Sequence, residues 1–224
     1  MAGESSAGSV AKPLLILRVW RFFKLKFRYY AGRLARTFHQ PRIPRNPDGK
    51  VLIHIGCGDF NDPRYINVDK RKMGHVHIIG SIEDLSDIPG NYADLIYMSH
   101  ILEHVSHLKV PSVLAELRKR LKNNGILRIA VPDFGKIIQL YQEVGTIELI
   151  APPLMGGQGY PENYHASIFD QEYLSKLLIE AGFKTVKPWD PDNTEFHSFD
   201  DWSRKATVVN GKEYFLSLNL EAIK

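Results

Sequence analysis

A single cysteine, Cys57, is all the thiol chemistry that the 224 residues carry. One thiol excludes an internal disulfide framework and any multi-thiolate zinc site, and makes a reducing, cytoplasmic setting the natural expectation. Long apolar runs are missing too. In the N-terminal region every hydrophobic stretch is cut by Arg18, Arg21, Lys24, Lys26 or Arg28, well short of the ~20 residues a transmembrane helix needs. The apolar run over residues 13–17 is also shorter than the ~7 to 15 residues of a secretory signal, and the charges follow it instead of preceding it. No repeat or low-complexity tract is present. With 44% hydrophobic and 24% charged residues, the composition suits one folded domain with a real core.

Charge of one sign is concentrated. The first 49 residues hold ten Lys and Arg against Glu4 and Asp48, a net +8, so the small whole-chain value of +4 leaves −4 on the remainder. An acidic body argues against nucleic acid as a partner. Within the basic segment, Ile16, Trp20, Phe23, Phe27, Tyr30 and Leu34 recur at spacings of four and three, which places them on one helical face with the basic residues opposite. That profile fits an interfacial helix drawn to an anionic membrane surface through residues 12–38. The competing expectation is that the apolar face docks on the protein's own core or forms a homodimer. A proline-bearing stretch, QPRIPRNPDG, reads as a linker. It divides an arm at residues 1–49 from a domain at residues 50–224.

In the domain, apolar runs alternate with helical patterns. KVLIHI, YINVD, HVHII, ADLIYM and ILRIAV read as strands, and two more follow at residues 183–189 and 213–223. Val110, Val113, Leu114, Leu117 and Leu121 predict a helix stopped by Asn123-Asn124-Gly125. A second helix is expected from an Asp170 N-cap to Gly182, after an irregular stretch from Pro152 to Pro161. Alternation of this kind implies a mostly parallel α/β sheet, with ligands at the carboxyl ends of the strands. Gly56 and Gly58 there allow close backbone approach to a ligand. Asp69, ending the second strand, is placed to take two hydrogen bonds from a ribose diol. Cys57 reads as a packing residue.

The ordered set HIGCGDF, INVDK, SIEDL, ADLIYMSHILEH, LKNNGILRIAVPDF and IEAGF resembles the class I S-adenosylmethionine-dependent methyltransferases. With Gly156-Gly157-Gln158, the His165 and Phe169 pair, and SLNLEA, it resembles more narrowly a subgroup associated with bacterial cell-surface polysaccharide biosynthesis. The resemblance implies a Rossmann-like seven-stranded sheet ending in an antiparallel hairpin, and S-adenosylmethionine as cofactor. It implies that Gly56 and Gly58 face the methionine part, Asp69 the ribose, Ser81, Ile82 and Glu83 the adenine, and Ser99 the mouth beside the sulfonium. His54 stands where the family often has an acid, and too few residues separate Gly58 from Asp69 for the usual helix.

Methyl transfer from a sulfonium calls for alignment and exclusion of water, and for no metal. A saccharide hydroxyl needs a positioned base, for which His165 and His100 are the candidates, with Asp133 as the group that would orient either. The implied acceptor is a saccharide or lipid-linked saccharide, methylated at the inner face of the membrane. Two other readings stand beside it: a methyltransferase of a small soluble metabolite, and a non-catalytic, membrane-recruited binding protein of the same fold. A distant rival comes from His100, Glu103 and His104, which spell H-x-x-E-H, the inverted zinc-protease pattern, with no third ligand marked.

Overall fold

A computed structural model describes Phe27, Tyr30, Ala31, Gly32, Leu34, Arg36 and residues 40–224, Pro161 excepted. Seven strands form one sheet: β1 (Leu52–Ile55), β2 (Tyr65–Asp69), β3 (Ile78–Ile79), β4 (Ala93–Ser99), β5 (Leu121–Pro132), β6 (Thr185–Pro188) and β9 (Ser217–Ile223). Their order is β3-β2-β1-β4-β5-β9-β6, with β9 antiparallel to both of its neighbours. The chain thus runs outward from β1 to β3, returns to β4 and proceeds the other way. This reversal opens a crevice at the carboxyl ends of β1 and β4. Between β6 and β9 a small separate hairpin is inserted, β7 (Thr207–Val209) and β8 (Lys212–Tyr214).

One sheet face carries Ile53, Ile55, Ile96, Met98, Leu127 and Ile129 against helices α1 (Val110–Arg120) and α4 (Gln171–Glu180). Helix α1 buries Val110, Val113, Leu114 and Leu117, the stripe its periodicity predicts. Helix α4 starts as expected, with the Asp170 carboxylate accepting from the Tyr173 amide at 2.7 Å. Gly182 follows it with a left-handed φ of 93°. The Asn123-Asn124-Gly125 stop needs correction. Helix α1 ends at Arg120, and Leu121, buried and paired with Ala93, already belongs to β5. Asn124, at φ 62°, makes an irregularity inside that strand instead of a helix cap.

Two helices were not foreseen. Asp133 caps α2 (Phe134–Val144), and Thr146 caps α3 (Ile147–Met155), which holds Pro152 and Pro153. Both pack with the β7–β8 hairpin around Ile137, Leu140, Ile150, Val209 and Leu216.

The opposite sheet face is covered by an aromatic cluster, in which Trp189 and Phe199 lie over Leu52, Tyr65 and Tyr97. His54 sits inside it, its ring 4.5 Å from Phe199 and 5.0 Å from Tyr97. Burial holds its pKa down to about 3, so the imidazole is neutral, and the residue lies away from the crevice beside β1 and β4.

Of the predicted arm helix, Ile16, Trp20 and Phe23 lie outside the described residues. Phe27, Tyr30 and Leu34 are helical and 74%, 61% and 65% exposed. The other side of the turn touches the domain. A β-carbon at Gly32 would meet the Gly74 amide nitrogen at 2.8 Å, and the Arg36 guanidinium donates to the Val76 and His77 carbonyls. The described part of the apolar stripe therefore points away from the protein's own core.

Candidate active site

At the carboxyl end of β1 the chain turns at Gly56, where φ is 67° and a β-carbon would collide with the Ile101 side chain at 2.1 Å. Only glycine fits both constraints. The Gly56 and Cys57 amides donate back to the Val68 carbonyl, tying the loop to β2. No helix joins β1 to β2, so the usual helix N-terminus is missing. The Gly58 amide instead donates to Asp69 Oδ2 at 2.9 Å. Arg71 holds the same carboxylate through its amide and guanidinium, at 2.8 and 3.1 Å to Oδ1. Burial pushes the Asp69 carboxyl up, and the hydrogen bonds from Arg71 and Gly58 outweigh it, keeping the group ionised. Cys57 is fully buried against Met73 and Val76, and its thiol is raised by burial, which makes it a packing residue.

A cleft of about 340 Å³ opens beside this loop. Gly56, Asp69, Ser81, Ile82 and Glu83 line it, with His100 and His104 at one end. Gly58 and Ser99 do not reach its wall; Gly58 acts through Asp69. Ser81 accepts from the Glu83 amide at 3.2 Å, and Lys109 steadies the Glu83 carboxylate at 3.1 Å. The sequence reading missed Arg71, Ile101 and Tyr160 as parts of this wall. Arg71 had one local signal, its position two residues after Asp69. Tyr160 had none.

The mouth is histidine-rich. His100 adopts a left-handed φ of 54° and directs Nε2 to Ser217 Oγ at 2.7 Å. Ser217 Oγ donates in turn to the Trp202 carbonyl at 2.6 Å. His100 Nε2 must therefore carry the proton, leaving a lone pair on Nδ1 that faces Glu103 Oε1 at 3.4 Å. His165 arrives from the segment after α3, with Nε2 at 4.0 Å from the same oxygen. Two backbone bonds set it there, from the Ala166 and Ser167 amides to the Glu103 carbonyl, at 2.7 and 3.0 Å. Burial holds His100 to about 3 and His165 to about 4, so both are neutral at pH 7, and it pushes Glu103 up to about 8.

Asp133 plays another part than the one expected. Its Oδ1 accepts from the Gly135 and Lys136 amides at 3.0 and 3.4 Å, capping α2. Among the described residues it bonds neither histidine. The zinc-protease reading fails as well: that motif needs two histidines one turn apart on an α-helix. Here residues Leu102–His104 form a single 3-10 turn, and His100 precedes it in a left-handed conformation.

Strand order, the single antiparallel strand and the crevice beside the glycine turn define a Rossmann-like α/β methyltransferase fold. Solved structures agree at the level of fold. An S-adenosylmethionine-dependent methyltransferase from Thermotoga maritima is 17% identical, with a TM-score of 0.50 over 93% of this chain and 96% of that one. Another, from Archaeoglobus fulgidus, is 18% identical, with a TM-score of 0.50 over 92% and 99%. No curated protein matches the chain. A family model described as a methyltransferase domain matches residues 24–187, and the chain belongs to that family.

Proposed function

We propose that the protein is an S-adenosylmethionine-dependent O-methyltransferase whose acceptor is a saccharide or lipid-linked saccharide, used in surface glycan biosynthesis. The observation that carries this reading is the cleft itself. An ionised carboxylate, Asp69, stands over a glycine-only turn at Gly56, with the Ser81–Glu83 segment across from it. These residues fit the cofactor: Asp69 for a ribose diol, Gly56 for close backbone approach, and Ile82, buried at the wall, for an aromatic base. When bound, S-adenosylmethionine supplies an electrophilic methyl group on a sulfonium. The chain's own task is to orient the acceptor hydroxyl, exclude water and take its proton. The neutral His100 imidazole on the cleft wall is placed to accept it, with His165 beside Glu103 as the second candidate.

For a saccharide the support is chemical. The domain is acidic overall, which disfavours polyanionic acceptors. Tyr160, Tyr164 and Trp202 are exposed around the mouth, offering flat apolar faces with polar tips for a sugar ring. The test is to incubate the protein with methyl-labelled S-adenosylmethionine and extracted lipid-linked saccharides or nucleotide sugars. Label in the saccharide fraction is the expected result. Calorimetry showing no cofactor binding at about millimolar concentration would sink the enzyme reading outright.

The outward stripe of Phe27 and Leu34 beside the basic arm supports peripheral attachment to an anionic membrane surface. In liposome flotation, the full-length protein is expected to rise with vesicles containing anionic lipid and not with neutral ones. The Phe27→Glu, Leu34→Glu double variant is expected to stay at the bottom. Equal flotation of both proteins rules out the arm as the anchor.

A further inference from the structure

Glu103 is only 1% exposed, and neither of its carboxyl oxygens meets a hydrogen-bond donor among the described residues. A buried carboxyl left so is costly, and such groups are normally paired or bound to a metal. Its neighbours offer no donor to the ionised carboxylate as they stand. His100 presents the Nδ1 lone pair at 3.4 Å, since its Nε2 proton is committed to Ser217. His104 Nδ1 lies 3.0 Å from the Tyr164 carbonyl, so that nitrogen carries the proton and Nε2 is left with the lone pair. The His165 ring lies near the Pro153 and Leu154 backbone, while its Nε2 faces Glu103. Imidazoles fixed by a carbonyl on one nitrogen and offering the other are the usual arrangement behind a metal ligand. One oxygen of Glu103 and one nitrogen each of His104 and His165 lie within 4.8 Å of one another. Around a cation with bonds of about 2.1 Å, ligand atoms stand about 3.0 to 3.5 Å apart. Side-chain rotations closing the group by about an ångström suffice.

We propose that Glu103, His104 and His165 hold one divalent first-row transition cation at the mouth of the cofactor cleft. Two imidazoles and one carboxylate form a ligand set that leaves coordination positions open and suits Zn²⁺, Fe²⁺, Co²⁺ or Mn²⁺ better than Ca²⁺. His104 lines the cleft and His165 stands beside Glu103, so an ion held by the three lies at the cleft wall, within reach of an acceptor hydroxyl. A hydroxyl oxygen bound there loses its proton more readily, and neighbouring hydroxyls of a sugar diol are suited to chelate the ion. That use of the open positions rests on the methyltransferase reading; cation binding itself does not. This set differs from the H-x-x-E-H pattern: Glu103 is a ligand in it and His100 is not, and His165 joins from 62 positions after Glu103 in the chain.

The experiment is calorimetric titration of chelator-stripped, full-length protein with Mn²⁺, Co²⁺ and Zn²⁺, with Co²⁺ binding followed also by its visible absorption. One equivalent bound at micromolar affinity or tighter is expected for at least one ion. Glu103→Gln and His165→Ala should each weaken it by at least about tenfold, with S-adenosylmethionine affinity kept within about twofold. Should Glu103→Gln fail to fold, the partly exposed His104→Ala is expected to show the same loss of cation affinity. No stoichiometric binding by the wild type, or undiminished binding in the variants, overturns the site. Cation binding without cofactor binding would instead keep the site and remove the methyltransferase reading.

Discussion

Asp69→Ala is expected to weaken S-adenosylmethionine binding at least about 100-fold by calorimetry, since hydrogen bonds to a charged group contribute about 1.5–3 kcal/mol each and a ribose diol makes two. The removed carboxylate does more than face the cleft. It accepts from the Gly58 amide at 2.9 Å and from Arg71 at 2.8 and 3.1 Å. Its loss frees the turn after β1 at the same time as it removes the acceptor. Asp69→Asn separates the two effects, because an amide oxygen still accepts from Gly58 but carries no charge for the diol or for Arg71. An intermediate loss is expected for Asn, and a variant with wild-type affinity would place the ribose elsewhere. Arg71 shares the carboxylate through a guanidinium that is 44% exposed. A competing ribose therefore has to displace only part of its contact.

The sheet was readable because its strands are short apolar runs bounded by turns, and each helix that packs on it carries a 3.6-residue stripe, as Val110 to Leu117 do. The positions of Gly56 and Asp69 were readable for a similar reason: both stand at strand ends, and both line the cleft. Asp133 shows the opposite. Its position just after a strand and before an unrecognised helix made a cap look like a catalytic partner. Helix α3 was hidden by Pro152 and Pro153, which locally favour a loop, yet the helix forms by burying Ile150 against α2. The mouth was the least readable part. His100, Glu103 and His104 appeared as a linear motif, but what defines their chemistry is a carbonyl of Glu103 taking the amides of Ala166 and Ser167. That contact brings His165 to Glu103 across the chain, and no spacing rule encodes it.

Gly156→Ala is expected to reduce turnover of the identified acceptor by about 100-fold while leaving cofactor affinity nearly unchanged, because misplacement of a catalytic group by about an ångström costs that much. Gly156 ends α3 at φ 80° and ψ 161°, a conformation that is essentially glycine's alone and costs other residues about 1–3 kcal/mol. A β-carbon there would meet the Asn163 carbonyl oxygen at 2.3 Å and its carbonyl carbon at 3.0 Å, both backbone atoms that cannot rotate aside. It would also approach the His165 ring at 3.1 Å. The segment that must yield is therefore residues 163–165, whose seat is the His165 amide on the Met155 carbonyl, at 3.1 Å. Moving it draws His165 away from Glu103 and loosens the Ala166 and Ser167 amides. Hydrogen exchange at those two amides should accelerate, a readout that needs no substrate. Gly145→Ala is the control for strain alone, since Gly145 also has a left-handed φ, 70°, with nothing within 4 Å of the added carbon. It should cost some stability and leave turnover intact. Equal turnover in both variants would mean that the glycine pair at 156 and 157 shapes only the backbone, and that His165 reaches its place by other contacts.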